Sequence, residues 1–319
     1  MFLRLLLLSF VAHLVLLFGC DQSRMPITDI MTDTRRIQSE DETGAEPEPI
    51  VDANMVLIPA GEVSIGLSQS QLERYKQQYP PTIPVTLEWF TVQRKAHLPA
   101  TALPLQTVYV DAFYMDIHEV TWEQYLDFVN ASGYESTRVT QTLKIFPDLV
   151  SRSGYFGKKP ITQLTIPEMK AYAEWHGKHI PTEIEWEKAA RGGLRDKNYP
   201  WGNEIDPTHA NYNHAGILNV FNPDNNTPVL SLVEVGQYPA NGYGLYDMAG
   251  NVSEFVTTQW DHVRGDIDDV ISRGGNYRRP GFEQQNWYRN YHKTGEYTSS
   301  VGFRCIKRIN VQPRAQNVP

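Results

Sequence analysis

Residues 241–255 read NGYGLYDMAGNVSEF, and this stretch decides how the rest of the chain is interpreted. Gly242, Gly244 and Gly250 let the backbone take positive φ or approach a neighbour closely. Asp247 and Glu254 bracket the Ala249-Gly250-Asn251 turn, so two carboxylates and several carbonyls can converge on one point. Hard cations want such an oxygen cluster. A tight turn between strands, with Asp and Asn used for local hydrogen bonds, is the other reading of the same residues.

Outward from this loop, composition narrows the class. A chain of 319 residues holds one large domain or two ordinary ones. Hydrophobic content of 41% supports a packed core, and 22 Gly with 21 Pro favour a loop-rich chain over a helical bundle. The formal net charge is −8, and no Lys/Arg run forms a nucleic-acid patch.

The first residues carry an export signal. Arg4 precedes an apolar run from Leu5 to Phe18 broken only by Ser9 and His13, and Leu17-Phe18-Gly19-Cys20 reads as a lipobox. The run is shorter than the ~20 apolar residues of a membrane span. Residues 1–19 are therefore expected to be a lipoprotein signal peptide. Cys20 would be the lipid-modified N-terminus, tethering the protein to a membrane of the cell envelope on the exported side. Residues 20–53 form an acidic tether, with eight carboxylates against three arginines between Asp21 and Ile50 and no hydrophobic period, which predicts disorder. Cys305, the other cysteine, then has no partner within the mature domain.

Along the folded part, Met55–Gly61 predicts a strand ending in a turn, and 71–105 an irregular excursion. Val108–Met115 predicts one strand. Capping boxes at Thr121–Gln124, Thr165–Glu168 and Thr182–Glu185 predict three helices. The first should bury Tyr125, Phe128 and Val129. The second should bury Met169, Tyr172, Ala173 and either Trp175 or His176, and stop at Gly177. The third should close at Gly192-Gly193. Residues 134–159 read as loop, and short strands and turns follow Tyr199. Helices early and strands late, without βαβ alternation, argue for an α+β fold.

Seven segments, in order, resemble the formylglycine-generating enzyme, or sulfatase-modifying factor, family. They are MVLIPAGEVSIG (55–66), VDAFYMDIHEVTWEQYLDFV (110–129), HGKHIPTEIEWEKAARGG (176–193), PWGN (200–203), NGYGLYDMAGNVSEF (241–255), SRGGNYRR (272–279) and GFRC (302–305). The resemblance spans residues 54–309, leaving 310–319 as a flexible tail. It implies a single α+β domain related to C-type lectins, with little regular secondary structure. It also implies a structural Ca2+ site, with Asp247 and Glu254 contributing side chains and Gly250 and Val252 carbonyls. A second site would use Asn211, the Tyr212 carbonyl and Asp224.

Active members of that family oxidise a substrate cysteine with copper held by two cysteines. Those positions fall on Arg279 and about Gln284 in this chain. Soft thiolates select Cu(I), whereas an arginine is a fixed cation, so neither copper nor formylglycine-generating activity is expected. Asn276 replaces a serine, Ser253 and Phe255 replace two tryptophans, and the disulfide partner that Cys305 would have near Ala173 is absent. Asn276, Tyr277, Arg278, Arg279, Trp287, Tyr288 and Arg289 would line or flank the family's peptide cleft. For Trp287 and Tyr288 a core role is the alternative.

The resulting expectation is a non-catalytic, lipid-anchored, calcium-stabilised module that binds an exported or cell-surface protein or peptide. The alternatives are an oxidoreductase with an altered metal centre near Arg279 and His292, and a carbohydrate-binding module. The histidine pairs His176/His179 and His209/His214 read as capping or solvated residues.

Overall fold

A computed structural model describes residues 52–78, 105–145, 157–213, 231–257, 269–293 and 299–309. The chain divides into two units, Met1–Pro49 and Ile50–Pro319, and every described residue lies in the second. The expected signal peptide, Cys20, residues 20–51 of the tether, His214, Asp224 and the 310–319 tail lie outside the described residues.

The segment at 55–65 makes two strands. Strand β1 (Met55–Ile58) buries Met55 and Ile58 and pairs antiparallel with β4 (Phe113–Asp116). On the other side of β4 lies β9 (Ile306–Arg308), also antiparallel. Strand β2 (Gly61–Ile65) pairs antiparallel with β3 (Gln106–Val110) in a separate ribbon. The single strand expected over Val108–Met115 is therefore two. Val110, Phe113 and Met115 are all buried, so the inward positions change from even to odd numbers at Asp111-Ala112. With a period of two, that slip would flip the side chains to the other face of one strand. The chain breaks there, and the two halves join different sheets.

A second sheet has the order β7-β6-β5-β8. Its strands are β5 (Ser253–Val256), β6 (Asp269–Arg273), β7 (Asn290–Lys293) and β8 (Val301–Gly302). Strand β5 pairs parallel with β8 and antiparallel with β6. All four β5 residues are buried, so this strand is central and covered on both faces.

Five helices are described. Helix α1 spans Gln69–Gln78, α2 Trp122–Ser132, α3 Thr137–Ile145, α4 Ile166–Trp175 and α5 Glu183–Ala190. The three expected capping boxes all form, at Thr121, Thr165 and Thr182. Each satisfies orphan backbone donors, and such a cap contributes about 1 kcal/mol. Helices α1 and α3 lie in stretches expected to be irregular. Both start at a serine cap. The Ser68 N–H donates to Gln71 Oε1 (3.0 Å) and the Gln71 N–H to Ser68 Oγ (3.1 Å). At α3 the Val139 N–H donates to Ser136 Oγ (3.3 Å). Both helices are poor in apolar residues: α1 has only Leu72 and Tyr75, and α3 fully buries only Val139 and Thr142. A second correction concerns α4, where Trp175 is 49% exposed and His176 is exposed as well.

Two apolar clusters form the core. One joins α2 and α4 through Tyr125, Phe128, Met169 and Tyr172, and includes Phe255, Phe303 and Cys305. The other surrounds Trp186 of α5 with Ile58, Phe113, Met115, Met248 and Ile271. Residues 241–255 bridge them, with Leu245 and Met248 in the second cluster and Phe255 in the first. Among the described residues no helix is long and apolar enough to cross a membrane.

Candidate functional site

The 241–255 loop is anchored at its start to α5. Asn241 Nδ2 donates to the carbonyls of Ala189 (2.8 Å) and Ala190 (3.2 Å), and its Oδ1 accepts from the Tyr243 and Leu245 N–H groups. The chain then turns through positive φ at Asp247 (56°), Gly250 (88°) and Asn251 (53°). At Gly250 glycine is required twice over: the backbone is left-handed, and a Cβ would lie 2.5 Å from the Asn211 carbonyl oxygen.

This turn delivers Asp247 and Glu254 to a buried cluster of charge. Glu254 accepts from Arg304 at both oxygens (2.6 and 2.7 Å) and from Trp186 Nε1 (2.7 Å). Arg304 spends its remaining donors on the carbonyls of Asp116, Ile117 and Tyr246. Asp247 Oδ2 accepts the Gly236 N–H at 2.6 Å. Glu119, 1% exposed, joins from the segment between β4 and α2, with its own backbone N–H and the Asp247 carboxyl as its hydrogen-bonding neighbours. Three carboxyl groups thus share one guanidinium. Burial pushes Asp247 up to about 6, helped by the charge on Glu254. Glu119 is pushed well above the usual carboxylate range by burial and then by Asp247.

This group fits the expected cation. Three buried carboxyl groups around one guanidinium leave an excess of acidic groups that a bound Ca2+ would offset. Among the described residues no three His, Cys, Asp or Glu side chains are disposed to hold a metal by themselves. A cation here must also take backbone oxygens, as Ca2+ does readily, and Gly250 and Val252 lie on the same turn between Asp247 and Glu254. Glu119 is the member that sequence reasoning missed; its isolated carboxylate in the apolar-flanked HEVTW run gave the only hint. For the second expected site, Asn211 sits directly against this turn. The Asn251 N–H donates to the Asn211 carbonyl (2.8 Å), and Asn211 Nδ2 donates to the Ser231 carbonyl (2.9 Å). Tyr212 is buried beside Ala210 and Ala249.

The positions matched to copper thiolates have become part of a packed turn. Gln284 is fully buried, and its Nε2 donates to the carbonyls of Asn276 (3.3 Å), Arg279 (3.2 Å) and Pro280 (3.2 Å). Gly275 makes room for it, since a Cβ there would lie 2.2 Å from Gln284 Oε1. Arg279 reaches Glu283 at 3.6 Å. Neither residue offers a soft donor, so the residues present do not fit a Cu(I) centre. His292 Nε2 lies 2.8 Å from Ser272 Oγ, and burial pushes its pKa down to about 4, with the nearby Arg279 charge adding to the effect.

The predicted cleft is mostly interior. Trp287 and Tyr288 belong to a cluster with Leu67, Leu72, Tyr75 and Phe282. Asn276 donates to Ser253 Oγ (2.8 Å), and Tyr277 is buried. Arg289 is paired with Glu183. Of the seven expected cleft residues only Arg278 and Arg279 reach solvent. The aromatics are buried because α1, read from sequence as an irregular stretch, packs Leu72 and Tyr75 onto them.

Arg289 belongs, through Glu183, to a buried ion network that sequence reasoning missed. Arg273 donates to Glu183 (2.6 Å) and Glu187 (2.5 Å), and Glu187 also accepts from Arg191 (2.6 Å). Glu183 and Glu187 are four apart on α5, on the face that also buries Trp186 and Ala190. Carboxylates on an apolar helix face were the available signal.

Comparison with known proteins bears on the family and the fold. The profile of the sulfatase-modifying factor enzyme 1-like domain matches residues 41–309. The serine/threonine-protein kinase pkn1 of Chlamydia caviae is 34% identical over 229 residues, covering 65% of this chain but 34% of the relative. The chain thus spans about a third of that relative's length. The formylglycine-generating enzyme of Mycobacterium tuberculosis is 32% identical over 281 residues, covering 64% of this chain and 90% of that enzyme. Among solved structures, PvdO from Pseudomonas aeruginosa superposes with a TM-score of 0.53 at 22% identity, covering 80% of this chain and 94% of that one. That likeness concerns the fold.

Proposed function

Because the chain belongs to the sulfatase-modifying factor enzyme 1-like domain family, we propose that it is a non-catalytic, calcium-stabilised member that binds a protein or peptide partner. One observation carries this reading: at Arg279 and about Gln284, where the family resemblance would put the copper thiolates, there is no thiol, and the Gln284 amide is tied to three carbonyls of its own turn. Asp247, Gly250, Val252 and Glu254 would hold Ca2+, with Glu119 beside them. Asn211, Tyr212 and Asp224 would hold a second ion. The role of this calcium is to neutralise buried carboxylates and fix the turn. The lipobox ending at Cys20 supports an exported protein held at a membrane by lipid, and the acidic composition supports a partner other than nucleic acid. Of the seven residues expected to line the cleft, Arg278 and Arg279 are the ones available to that partner.

Elemental analysis of the purified protein tests the metal assignment. One or two equivalents of calcium, without stoichiometric copper or iron, are expected. A full equivalent of either redox metal would overturn the reading.

Stability of Asp247→Asn tests the same site through its sign. Asp247 has a folded pKa of about 6 against 3.8 for the free group. Its favourable contribution is complete below the unfolded value and is lost as pH rises through 6. At pH 7 the calcium-free protein therefore bears the cost of ionising it, about 3 kcal/mol at 1.36 kcal/mol per unit. After chelation, Asp247→Asn should be more stable than wild type by about 1–2 kcal/mol, because relaxation recovers part of that cost. Calcium at 100 times its Kd would stabilise wild type by about 2.7 kcal/mol, so in excess calcium the order should reverse. Urea titrations at pH 7 with and without chelator read both. The same sign in both conditions would count against bound calcium.

A further inference from the structure

We propose that a pocket between the β2–β3 ribbon and the C-terminal end of α5 binds a small phosphate-bearing anion. The cavity is about 250 Å³ and is lined by Lys188, Arg191 and Arg195 on one wall and by Ser64, Thr107 and Tyr243 around them. Glu62 is the one carboxylate in the lining. The pocket shares no lining residue with the calcium group or with the 276–289 segment.

The observation that points to a ligand is the state of Lys188. It sits in the last turn of α5, with 4% of its surface exposed. Its ammonium donates to the carbonyls of Gly61 (2.9 Å) and Val110 (3.2 Å). An ammonium has three donors, so one remains. No carboxylate hydrogen-bonds it among the described residues; Asp111 acts on it only through space, and burial pushes its pKa down. Arg191 next to it is compensated only in part, because its partner Glu187 is shared with Arg273. Arg195 is exposed at the rim. A buried cation short of counter-charge is costly, and a dianion in this cavity would offset that cost.

The donor set narrows the ligand. Ser64 and Thr107 are directly paired across β2 and β3, so both hydroxyls belong to one end of the ribbon. Hydroxyls from the ribbon, cations from α5 and its following turn, and Tyr243 from the 241–255 loop approach from three elements. That arrangement suits a tetrahedral oxyanion better than a planar carboxylate, which offers two oxygens in one plane. Glu62 disfavours a second anionic group and can accept from a hydroxyl on the organic part of a phosphate monoester.

Titration of the full chain with inorganic phosphate, glycerol phosphate, acetate and chloride at matched ionic strength tests this, by calorimetry and by thermal shift. Saturable binding of the two phosphates is expected, with acetate at least ten-fold weaker. Lys188→Met and Arg195→Glu should each weaken phosphate binding ten-fold or more. Arg195→Glu lies at the exposed rim and keeps the test decisive if Lys188→Met folds poorly. Equal responses to all four anions would reveal an ionic-strength effect and overturn the proposal. So would the lack of saturable binding, or undiminished phosphate binding in Arg195→Glu.

Discussion

Replacing Arg304 with Met should cost the domain about 3–5 kcal/mol, the range seen when one partner of a buried ion pair is removed. Arg304 is fully buried, and its donors go to two oxygens of Glu254 and to three backbone carbonyls. A guanidinium has five donors, and the arrangement uses all of them. Removing it would strand those carbonyls and leave Glu254 beside Glu119 and Asp247 with no cation among them. Typical domains are stable by only about 5–15 kcal/mol, so the variant should be largely unfolded at moderate temperature or populate a loosened state. Arg304→Lys should recover little, because an ammonium cannot make the two-pronged contact. Urea denaturation reads the change, and a loss below about 1 kcal/mol would mean that the cluster is not held together by this residue. Calcium should partly rescue Arg304→Met, since it supplies the missing positive charge.

Glu187→Gln should be nearly as damaging, by about 3–5 kcal/mol. Glu187 Oε1 accepts from Arg191 Nε (3.1 Å), Arg191 Nη2 (2.6 Å) and the Gly66 N–H (2.9 Å), and Oε2 accepts from Arg273 (2.5 Å). An amide keeps one acceptor but turns an NH2 group toward a guanidinium and removes the charge between two arginines. Burial alone would raise the Glu187 pKa, but Arg191 and Arg273 hold it below the usual carboxylate value. The contribution of a depressed carboxylate is present above the unfolded value of 4.5 and is lost as pH falls through the folded one. Wild type should therefore lose stability in acid more steeply than Glu187→Gln, and the two curves should converge only once pH has fallen through the folded value. Parallel curves would show that Glu187 is not ionised against its partners.

What was legible in the sequence was local. The boxes at Thr121, Thr165 and Thr182 depend on residues three apart, and the structure forms each of them. The order of motifs around 241–255 led to the fold through its resemblance to a known family, although Glu254 meets its partners Trp186 and Arg304 68 and 50 positions away. Helix α1 escaped because only Leu72 and Tyr75 follow its starting Ser68–Gln71 box in an otherwise polar segment; its packing depends on Trp287 and Phe282, more than 200 positions away. The cleft was overdrawn for the same reason. Trp287 and Tyr288 next to arginine read as an exposed binding patch until α1 is known to cover them. Charge was the hardest to read. Glu119, Glu183 and Glu187 are ordinary acidic residues in sequence, and only their burial against Arg273, Arg289 and Arg304 shows that they are structural.

On the proposed reading, the domain keeps its family's scaffold while a packed structural turn stands where the family resemblance puts the copper ligands. The direct measurement is mass spectrometry of a cysteine-containing sulfatase peptide after incubation with the purified chain, copper, a thiol reductant and oxygen. The account predicts that the cysteine is never converted to the aldehyde above a protein-free control. Aldehyde formed in proportion to the amount of this protein would contradict it.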